Sequence, residues 1–268
     1  MARNVAEDNW RLMSSAELPP CEGPKLQAFK YRSARIHWGD CIGGDIGSQS
    51  YVFKVKIKSK TYALKVFKFF KPSTQRFVLG PRLGKLVSDD ELAFHTDPFF
   101  AECRAYRRIE EARAKEKRVR KVVARCYGFL VLGARDEEHL KRNGFDLWPS
   151  TMLPGDGYRA MAEGSPVRAL VKEYIERDPD LDLRTMNGML KDIRFLNRHK
   201  CLNRDIKRDN YRDGLLVDLG CAWTEPHCLI RLVSKERVET WRITDRVQFD
   251  IMAKEQGFDG RDFKRLIK

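Results

Sequence analysis

The stretch that most constrains the fold of this chain is NRDIKRDNYRDGLLVDLG, residues 203–220. Within it, Asn210 follows Asp205 by five positions, and Asp218 follows Asn210 by eight positions. So short a connection between Asn210 and Asp218 requires a tight hairpin around residues 212–214, where an Asp-Gly pair offers suitable turn chemistry. The sequence therefore predicts a loop and a very short hairpin that together carry three polar side chains.

The hydrophobic pattern around this stretch changes between strand spacing and helix spacing. Residues 51–70 alternate apolar and basic residues on either side of a KSK turn, which predicts an antiparallel hairpin with one buried face. Apolar residues recur every three to four positions in 98–118 and 181–200, which predicts two amphipathic helices. Further strands are predicted at 123–133 and 169–176. This order fits neither an alternating parallel sheet nor a helical bundle, so the expected class is α+β.

The charge of the chain limits the kinds of partner that it favours. A formal net charge of +14 and a pI of about 9.5 favour anionic partners, which are nucleotides, nucleic acids or acidic protein surfaces. No apolar run approaches the ~18–20 residues that a membrane helix needs. The first 20 residues have no apolar signal-peptide core, so we expect an intracellular protein without a membrane partner.

Cysteine and histidine spacing argues against disulfides and against a zinc site. The seven cysteines are odd in number and contain no CxxC pair, so we expect free thiols that mostly pack as small apolar residues. The five histidines are scattered along the chain, and TEPH (224–227) lacks metal-ligand spacing. On this basis the sequence predicts no zinc cluster.

The polar residues of the opening stretch suit phosphoryl transfer from ATP, which needs positioned cations, magnesium ligands and a base more than covalent chemistry. Asp205 would accept the proton of a substrate hydroxyl, and Lys207 would neutralise the transferred phosphate. Asn210 and Asp218 offer the amide and carboxylate oxygens that hold Mg²⁺ beside phosphates and water. Taken singly, these residues could equally be turn and cap residues.

The segment NRDIKRDN (203–210) resembles the protein-kinase catalytic loop H-R-D-x-K-x-x-N, and the DLG that ends the stretch is similar to D-F-G. YALK (62–65) is similar to the kinase V-A-I-K motif, which implies that Lys65 pairs with the nucleotide phosphates. FFAECRAY (99–106) then supplies Glu102 as the helix partner of Lys65. The resemblance implies a kinase-like two-lobed fold, with ATP and Mg²⁺ as cofactors.

The same resemblance implies where the adenine and the phosphates would lie. VKEYIE (171–176) occupies the place of the hinge, so the backbone from Glu173 to Ile175 would meet adenine. DIGSQSYV aligns with the glycine-rich loop on Val52, and only Gly47 matches a glycine of that motif. The alternative for this glycine-bearing segment is a plain hairpin turn. A lone Lys65 in an alternating strand would likewise be a solvated residue.

The resemblance also implies a division of the chain. Residues 1–27 would be a flexible leader, residues 28–176 an antiparallel-sheet N-lobe with one main helix and with insertions at 71–97 and 134–166, and residues 177–268 a truncated helical C-lobe. No A-P-E follows Gly220, and we expect the remaining 48 residues to be too few for a full activation segment and lower lobe. The usual platform for a protein substrate would then be mostly missing.

A narrower resemblance lies in DPFFAECRAY (97–106), RDIKRDNY (204–211) and LVDLGCAWTEPH (216–227), which look like a fungal family of kinase-like proteins described by similarity to a kinetochore subunit. It implies protein partners and a nuclear or chromosomal location. The basic run 104–121, with nine Lys or Arg against three Glu, is an exposed helix face or else a nuclear-import or nucleic-acid contact.

Two functions therefore stay open. The chain is an ATP-binding Ser/Thr phosphotransferase that uses magnesium, as its polar residues suggest. Alternatively it is a catalytically weak or inactive pseudokinase-like scaffold in a nuclear assembly, as its eroded glycine-rich loop and short C-lobe suggest. A small-molecule phosphotransferase is less favoured, because such enzymes more often lack a lysine at the place of Lys207.

Overall fold

The computed structural model describes residues 18–19, 25–45, 47–116, 121–178, 181–258 and 262–263. Most of the predicted leader, residues 1–27, lies outside these described residues, and so do residues 117–120 of the basic run.

An antiparallel sheet of five strands forms the upper part of the molecule, in the order β1-β2-β3-β5-β4. The strands are β1 Ile36–Gly43, β2 Ser50–Ile57, β3 Lys60–Phe67, β4 Cys126–Val131 and β5 Arg168–Glu173. The predicted hairpin is confirmed, because β2 and β3 pair residue by residue from Ser50 opposite Phe67 to Ile57 opposite Lys60. The alternation buries Phe53, Val55 and Ile57 on one face of β2.

Helices and short strands complete the described part of the chain. The α-helices are α1 Gly80–Leu83, α2 Asp89–Thr96, α3 Pro98–Lys115, α4 Ala134–Arg142, α5 Gly157–Ala162, α6 Leu183–Arg198, α7 Cys228–Arg231, α8 Lys235–Arg242 and α9 Thr244–Glu255. The short strands are β6 Cys201–Leu202, β7 Tyr211–Arg212, β8 Leu215–Leu216 and β9 Trp223–Thr224. The two predicted amphipathic helices correspond to α3 and α6. None of the described helices has the length and apolar character needed to cross a membrane.

The start of α3 is fixed to the sheet by a buried ion pair. Asp97 caps the helix by accepting a hydrogen bond from the Phe99 amide at 2.9 Å, and Pro98 occupies the first helical turn. The other oxygen of Asp97 lies 2.8 Å from Arg168 on β5, and both side chains are buried. This pairing sets the position of α3 against the sheet.

The two segments expected as insertions, 71–97 and 134–166, both contain helices. A 3₁₀-helix spans Pro72–Val78, and α1 and α2 follow it. The Ser88 side chain caps α2 by accepting from the Glu91 amide, so the acidic run after Ser88 is a helix N-terminus. In the second segment, α4 has acidic residues in its first turn and basic residues in its last, and Leu140 is its buried residue.

The tight hairpin after Asn210 is confirmed. Tyr211 pairs with Leu216, and Arg212 pairs with Leu215. The two turn residues, Asp213 and Gly214, have positive φ angles of 49° and 69°, which is the backbone conformation of a type I′ turn.

A hydrophobic core joins the sheet to the helices below it. Its buried residues include Tyr106 of α3, Leu190 and Phe195 of α6, and Phe249 and Met252 of α9. Helix α9 packs against α6, so the segment after Gly220 adds to the lower part of the fold instead of standing apart from it. The antiparallel sheet and the helices α3, α6 and α9, which share one core, confirm the α+β class.

Candidate functional site

Two neighbouring elements bring Lys65 and Glu102 together in the interior. Strand β3 carries Lys65 and helix α3 carries Glu102, and the Lys65 Nζ lies 2.8 Å from Glu102 Oε2. The Lys65 side chain is 3% exposed and that of Glu102 is fully buried. The predicted pair is therefore confirmed, although neighbouring lysines of the same hairpin face solvent.

The same lysine also binds the aspartate of DLG. Lys65 Nζ lies 2.7 Å from Asp218 Oδ1, which also accepts a hydrogen bond from the Gly220 amide at 2.7 Å. Burial disfavours the charged form of Lys65, but the carboxylates of Asp218 and Glu102 outweigh this effect and raise its pKa. Burial likewise opposes ionisation of Asp218, and the positive charges of Lys65 and Lys172 outweigh it and lower the pKa of that carboxyl. The pair is therefore ionised on both sides.

Lys172 is a third participant that the sequence analysis did not single out. It projects from β5, and its Nζ lies 2.6 Å from Glu102 Oε1 and donates to the Val217 carbonyl. Glu102 thus accepts from two buried lysines, one on each carboxylate oxygen. The available signal was a lysine directly after the apolar run ALV (169–171) of a predicted strand, since a charge is not buried there without a partner.

The residues of the catalytic-type loop also lie together. Asn210 Nδ2 donates to Asp205 Oδ2 and to the Asp205 carbonyl, each at 2.8 Å, and Lys207 Nζ lies 3.0 Å from Asp205 Oδ2. The hydrogen bond to Asp205, together with the charges of Asp205 and Asp218, outweighs burial and raises the pKa of Lys207. Both carboxylates therefore stabilise the charged form of Lys207. The catalytic-type loop and Asp218 belong to the same site.

This donor set fits a magnesium nucleotide. Asp218 is 37% exposed, and its Oδ2 atom has no hydrogen-bond partner among the described residues. The side-chain nitrogen Nδ2 of Asn210 donates to Asp205. The side-chain oxygen Oδ1 of Asn210 has no hydrogen-bond partner among the described residues, so it can serve as a ligand. Lys65 has three N–H donors and gives one each to Glu102 and Asp218, so one is available to a phosphate.

Helix α9 holds the catalytic-type loop in place. Asp245 accepts hydrogen bonds from the amides of Asn203 at 2.9 Å and Arg204 at 2.6 Å, and Gln248 bonds the Ile206 amide and the Arg204 carbonyl at 3.0 Å each. Arg204 has a positive φ of 65°, a strained conformation that these bonds maintain. Burial raises the pKa of Asp245, although its hydrogen bonds oppose the shift. The sequence analysis assigned no role to α9, because such a contact spans 41 residues of chain.

Of the two main-chain positions expected to meet adenine, Glu173 is already hydrogen-bonded and Ile175 is not. The Glu173 amide donates to the Arg125 carbonyl at 2.8 Å, and the Glu173 carboxylate lies 2.8 Å from Lys121. The main chain of Ile175 makes no hydrogen bond to the described residues, so its N–H and C=O are open to a ligand edge. Val52 lies directly opposite Lys65 across the β2–β3 ladder.

The segment around Gly47 is a hydrogen-bonded turn. The Ser48 amide donates to Asp45 Oδ1 at 2.8 Å, and the Asp45 amide donates to the Ser48 hydroxyl at 2.9 Å. Lys68, beyond the end of β3, donates to the Asp45 carbonyl at 2.8 Å. These hydrogen bonds are those of a structured turn, which was the alternative to a glycine-rich loop. A contact between Gly47 and phosphate stays a prediction.

Not all of the histidines that are scattered in the sequence lie apart in the fold. Two of the five histidines, His95 and His227, lie together in the fold, and Cys228 joins them. They are far apart in sequence, so only the packing of α2 against the segment after β9 brings them into contact.

The chain matches the model of one known protein family. The model of the family described as Kinetochore Sim4 complex subunit FTA2 matches residues 14–223, more than three quarters of the chain. A search of curated proteins found no match. Among solved structures, the chain is similar to one titled "Structure of vaccinia related kinase 3", at 12% sequence identity and a TM-score of 0.39. That alignment covers 80% of this chain and 56% of the kinase chain, so the present chain spans about half the length of that relative.

Replacing Glu102 with Gln should destabilise the fold strongly, because two buried lysines then lose their shared carboxylate. Removing one member of a buried ion pair costs about 3–5 kcal/mol, and we expect a loss of that size in the free energy of unfolding. Urea unfolding followed by circular dichroism would measure it.

Glu111→Gln is the matched control on the same helix. Glu111 forms a partly exposed pair with Lys115 at 2.7 Å, and we expect a loss much smaller than that of Glu102→Gln. Equal losses in the two variants would contradict the central role of Glu102.

Proposed function

The chain belongs to the family of Kinetochore Sim4 complex subunit FTA2, and on that premise we propose that it is a subunit of a kinetochore assembly whose kinase-like cleft binds a magnesium nucleotide. A nuclear location and protein partners are part of this proposal. The observation that carries the nucleotide half is the Lys65–Glu102 ion pair beside the partly exposed Asp218.

The polar groups divide the work of holding a nucleotide. Lys65 would donate to the phosphates while Glu102 keeps its ammonium in place. Asp218 and Asn210 would supply oxygen ligands to Mg²⁺, which would offset the charge of the phosphates. Val52 would cover the adenine ring, and the main chain near Ile175 would meet its edge.

Mg-ATP should raise the unfolding temperature of the purified protein. A ligand at ~100 times its Kd stabilises a folded protein by about 2.7 kcal/mol, which thermal unfolding detects readily. In Asp218→Asn the magnesium-dependent part of the shift should disappear, because the variant lacks the main carboxylate ligand.

Asp209→Asn serves as the control, because Asp209 is an exposed acid in the same loop. It should keep the full shift induced by Mg-ATP. Absence of any shift at millimolar Mg-ATP in the unmodified protein would refute nucleotide binding, and retention of the full shift in Asp218→Asn would refute the assignment of Asp218.

A second candidate function, phosphoryl transfer to a Ser/Thr hydroxyl, is favoured by one further observation. The Asp205 carboxylate is 35% exposed and is held by both Asn210 and Lys207, the arrangement that a base beside an incoming hydroxyl requires. The hydrogen-bonded turn of Asp45 and Ser48, at the place of the glycine-rich loop, favours instead a scaffold that binds nucleotide without turnover.

Asp205→Asn separates these two functions. With radiolabelled ATP and a mixture of Ser/Thr peptides, the variant should lose transfer by about 10²-fold or more while it keeps the thermal shift with Mg-ATP. Transfer that survives in Asp205→Asn would contradict the role of Asp205 as base. Nucleotide binding without transfer in the unmodified protein would identify it as a scaffold.

The protein-partner half of the proposal has a candidate surface along α3. A groove of about 630 Å³ has an apolar wall that includes Leu18, Phe94 and Phe100. On its rim four cations, Lys25, Arg104, Arg107 and Arg108, outnumber two carboxylates, Glu111 and Glu225. By charge complementarity, its occupant is an acidic segment with apolar side chains from another Sim4-complex subunit. Nucleic acid as a partner remains a weaker prediction.

Charge reversal on this rim should weaken assembly. In co-expression with the other Sim4-complex subunits, Lys25→Glu combined with Arg107→Glu should reduce co-purification by about tenfold or more, because the rim then repels an acidic segment. The control, Lys30→Glu with Lys56→Glu, reverses two exposed charges away from the groove and should leave co-purification unchanged. Equal binding by both double variants would place the interface elsewhere.

A further inference from the structure

A buried cluster of three metal-ligating side chains lies outside the nucleotide cleft. His95 ends α2, His227 caps the N-terminus of α7, and Cys228 is the first residue of α7. One ligand atom from each residue lies within 4.8 Å of the others. The exposed fractions of the three residues are 8%, 2% and 2%, so the cluster is closed to bulk solvent.

The hydrogen bonds of His227 fix its tautomer. Its Nε2 atom lies 3.2 Å from the His95 carbonyl, which can only accept, so Nε2 carries the proton. The lone pair of Nδ1 accepts a long bond of 3.3 Å from the Leu229 amide, and a metal ion bound at Nδ1 would replace that bond. A backbone carbonyl that accepts from the second ring nitrogen is the usual partner of a metal-bound histidine.

His95 has a polar atom that the fold leaves unsatisfied. Its Nδ1 atom is buried and has no hydrogen-bond partner among the described residues. An orphaned nitrogen in the interior costs free energy unless a ligand binds it. This atom is the independent sign that something absent from the polypeptide belongs at the cluster.

Each side chain is in a form suited to a metal or is converted to one by binding. Each imidazole ring can offer a nitrogen lone pair to a metal ion, and the Cys228 thiol can offer its sulfur once it loses its proton. A bound metal ion replaces this proton, because a coordinating thiol is deprotonated outright.

We propose that His95, His227 and Cys228 form a zinc site, with water as the fourth ligand. Two imidazole nitrogens and one thiolate are borderline and soft ligands, which zinc prefers and which magnesium and calcium do not. Tetrahedral zinc with bonds of about 2.0–2.3 Å places its ligand atoms roughly 3.5 Å apart. Binding therefore draws the side chains together by about 1 Å.

The surroundings of the site set a condition on its charge. Arg104 donates to the carbonyls of Phe94 at 3.0 Å and Thr224 at 2.5 Å, and its charge opposes a nearby cation. The negative charge of the Cys228 thiolate offsets part of this repulsion. Loss of Cys228 should therefore weaken metal binding more than loss of either histidine.

The zinc ion would join two segments that flank the nucleotide cleft. His95 belongs to the segment between β3 and α3, and the other two ligands follow the DLG motif and β9. Trp223 of β9 stacks on His227 at 4.8 Å between ring centroids, and the Arg204 guanidinium of the catalytic-type loop lies 3.5 Å from the centroid of Trp223. The metal would thus hold the segment after DLG against α2.

The test measures bound metal and metal-induced stability in the full chain. The protein purified without chelators, or reloaded with zinc chloride alone, should contain roughly one zinc per chain by elemental analysis. Removing zinc with a chelator should lower the unfolding temperature, and adding zinc back should restore it. Cobalt in place of zinc should give a thiolate-to-metal absorption band in the near ultraviolet.

Cys228→Ala and His95→Ala should each reduce zinc content at least tenfold, and both should abolish the stabilisation by added zinc. Cys126→Ala is the matched control, since Cys126 is also buried and lies outside the cluster; it should keep its zinc. The proposal is overturned if the unmodified protein holds no zinc and gains no stability from it, or if cobalt gives no thiolate band. Because that result needs no variant, a substitution that fails to fold leaves the test intact.

Discussion

Glu102 is the group on which the rest of the site depends. Its two oxygens are shared between Lys65 and Lys172, while Lys65 also reaches Asp218. The four charges cancel, which allows them to lie in the interior where any one alone would be expelled or neutralised. Since the four residues come from β3, α3, β5 and the DLG segment, this cluster fixes the sheet, the main helix and the catalytic-type segment relative to one another.

The lower half of the site depends on backbone contacts instead of charge balance. Asp245 and Gln248 of α9 bind the main chain of residues 203–206, and the type I′ hairpin at 211–216 returns the chain to Asp218. One helix after Gly220 is thus enough to position the loop.

The groups that sequence reasoning recovered share one property, a local pattern. Lys65 lies in an alternating strand, Glu102 on an amphipathic helix, and the Asp-Gly pair in a turn that demands positive φ. The groups it missed have no such pattern. Lys172 and Asp245 act through partners 70 and about 40 positions away, and His95 lies 132 positions from His227. In segment 71–97 the pair Asp89-Asp90 begins helix α2, and such a pair occurs at helix starts as readily as in turns.

By itself, the sequence determined the α+β class, the β2–β3 hairpin, the two amphipathic helices and the short hairpin after Asn210. Periodicity, turn chemistry and spaced motifs are properties of neighbouring residues, so they are legible along the chain. Only the tertiary structure decided that a second lysine shares Glu102, that α9 holds the loop, and that two distant histidines meet a cysteine. Burial makes each of these contacts matter, because an unpaired charge or an orphaned nitrogen is costly only where water is excluded.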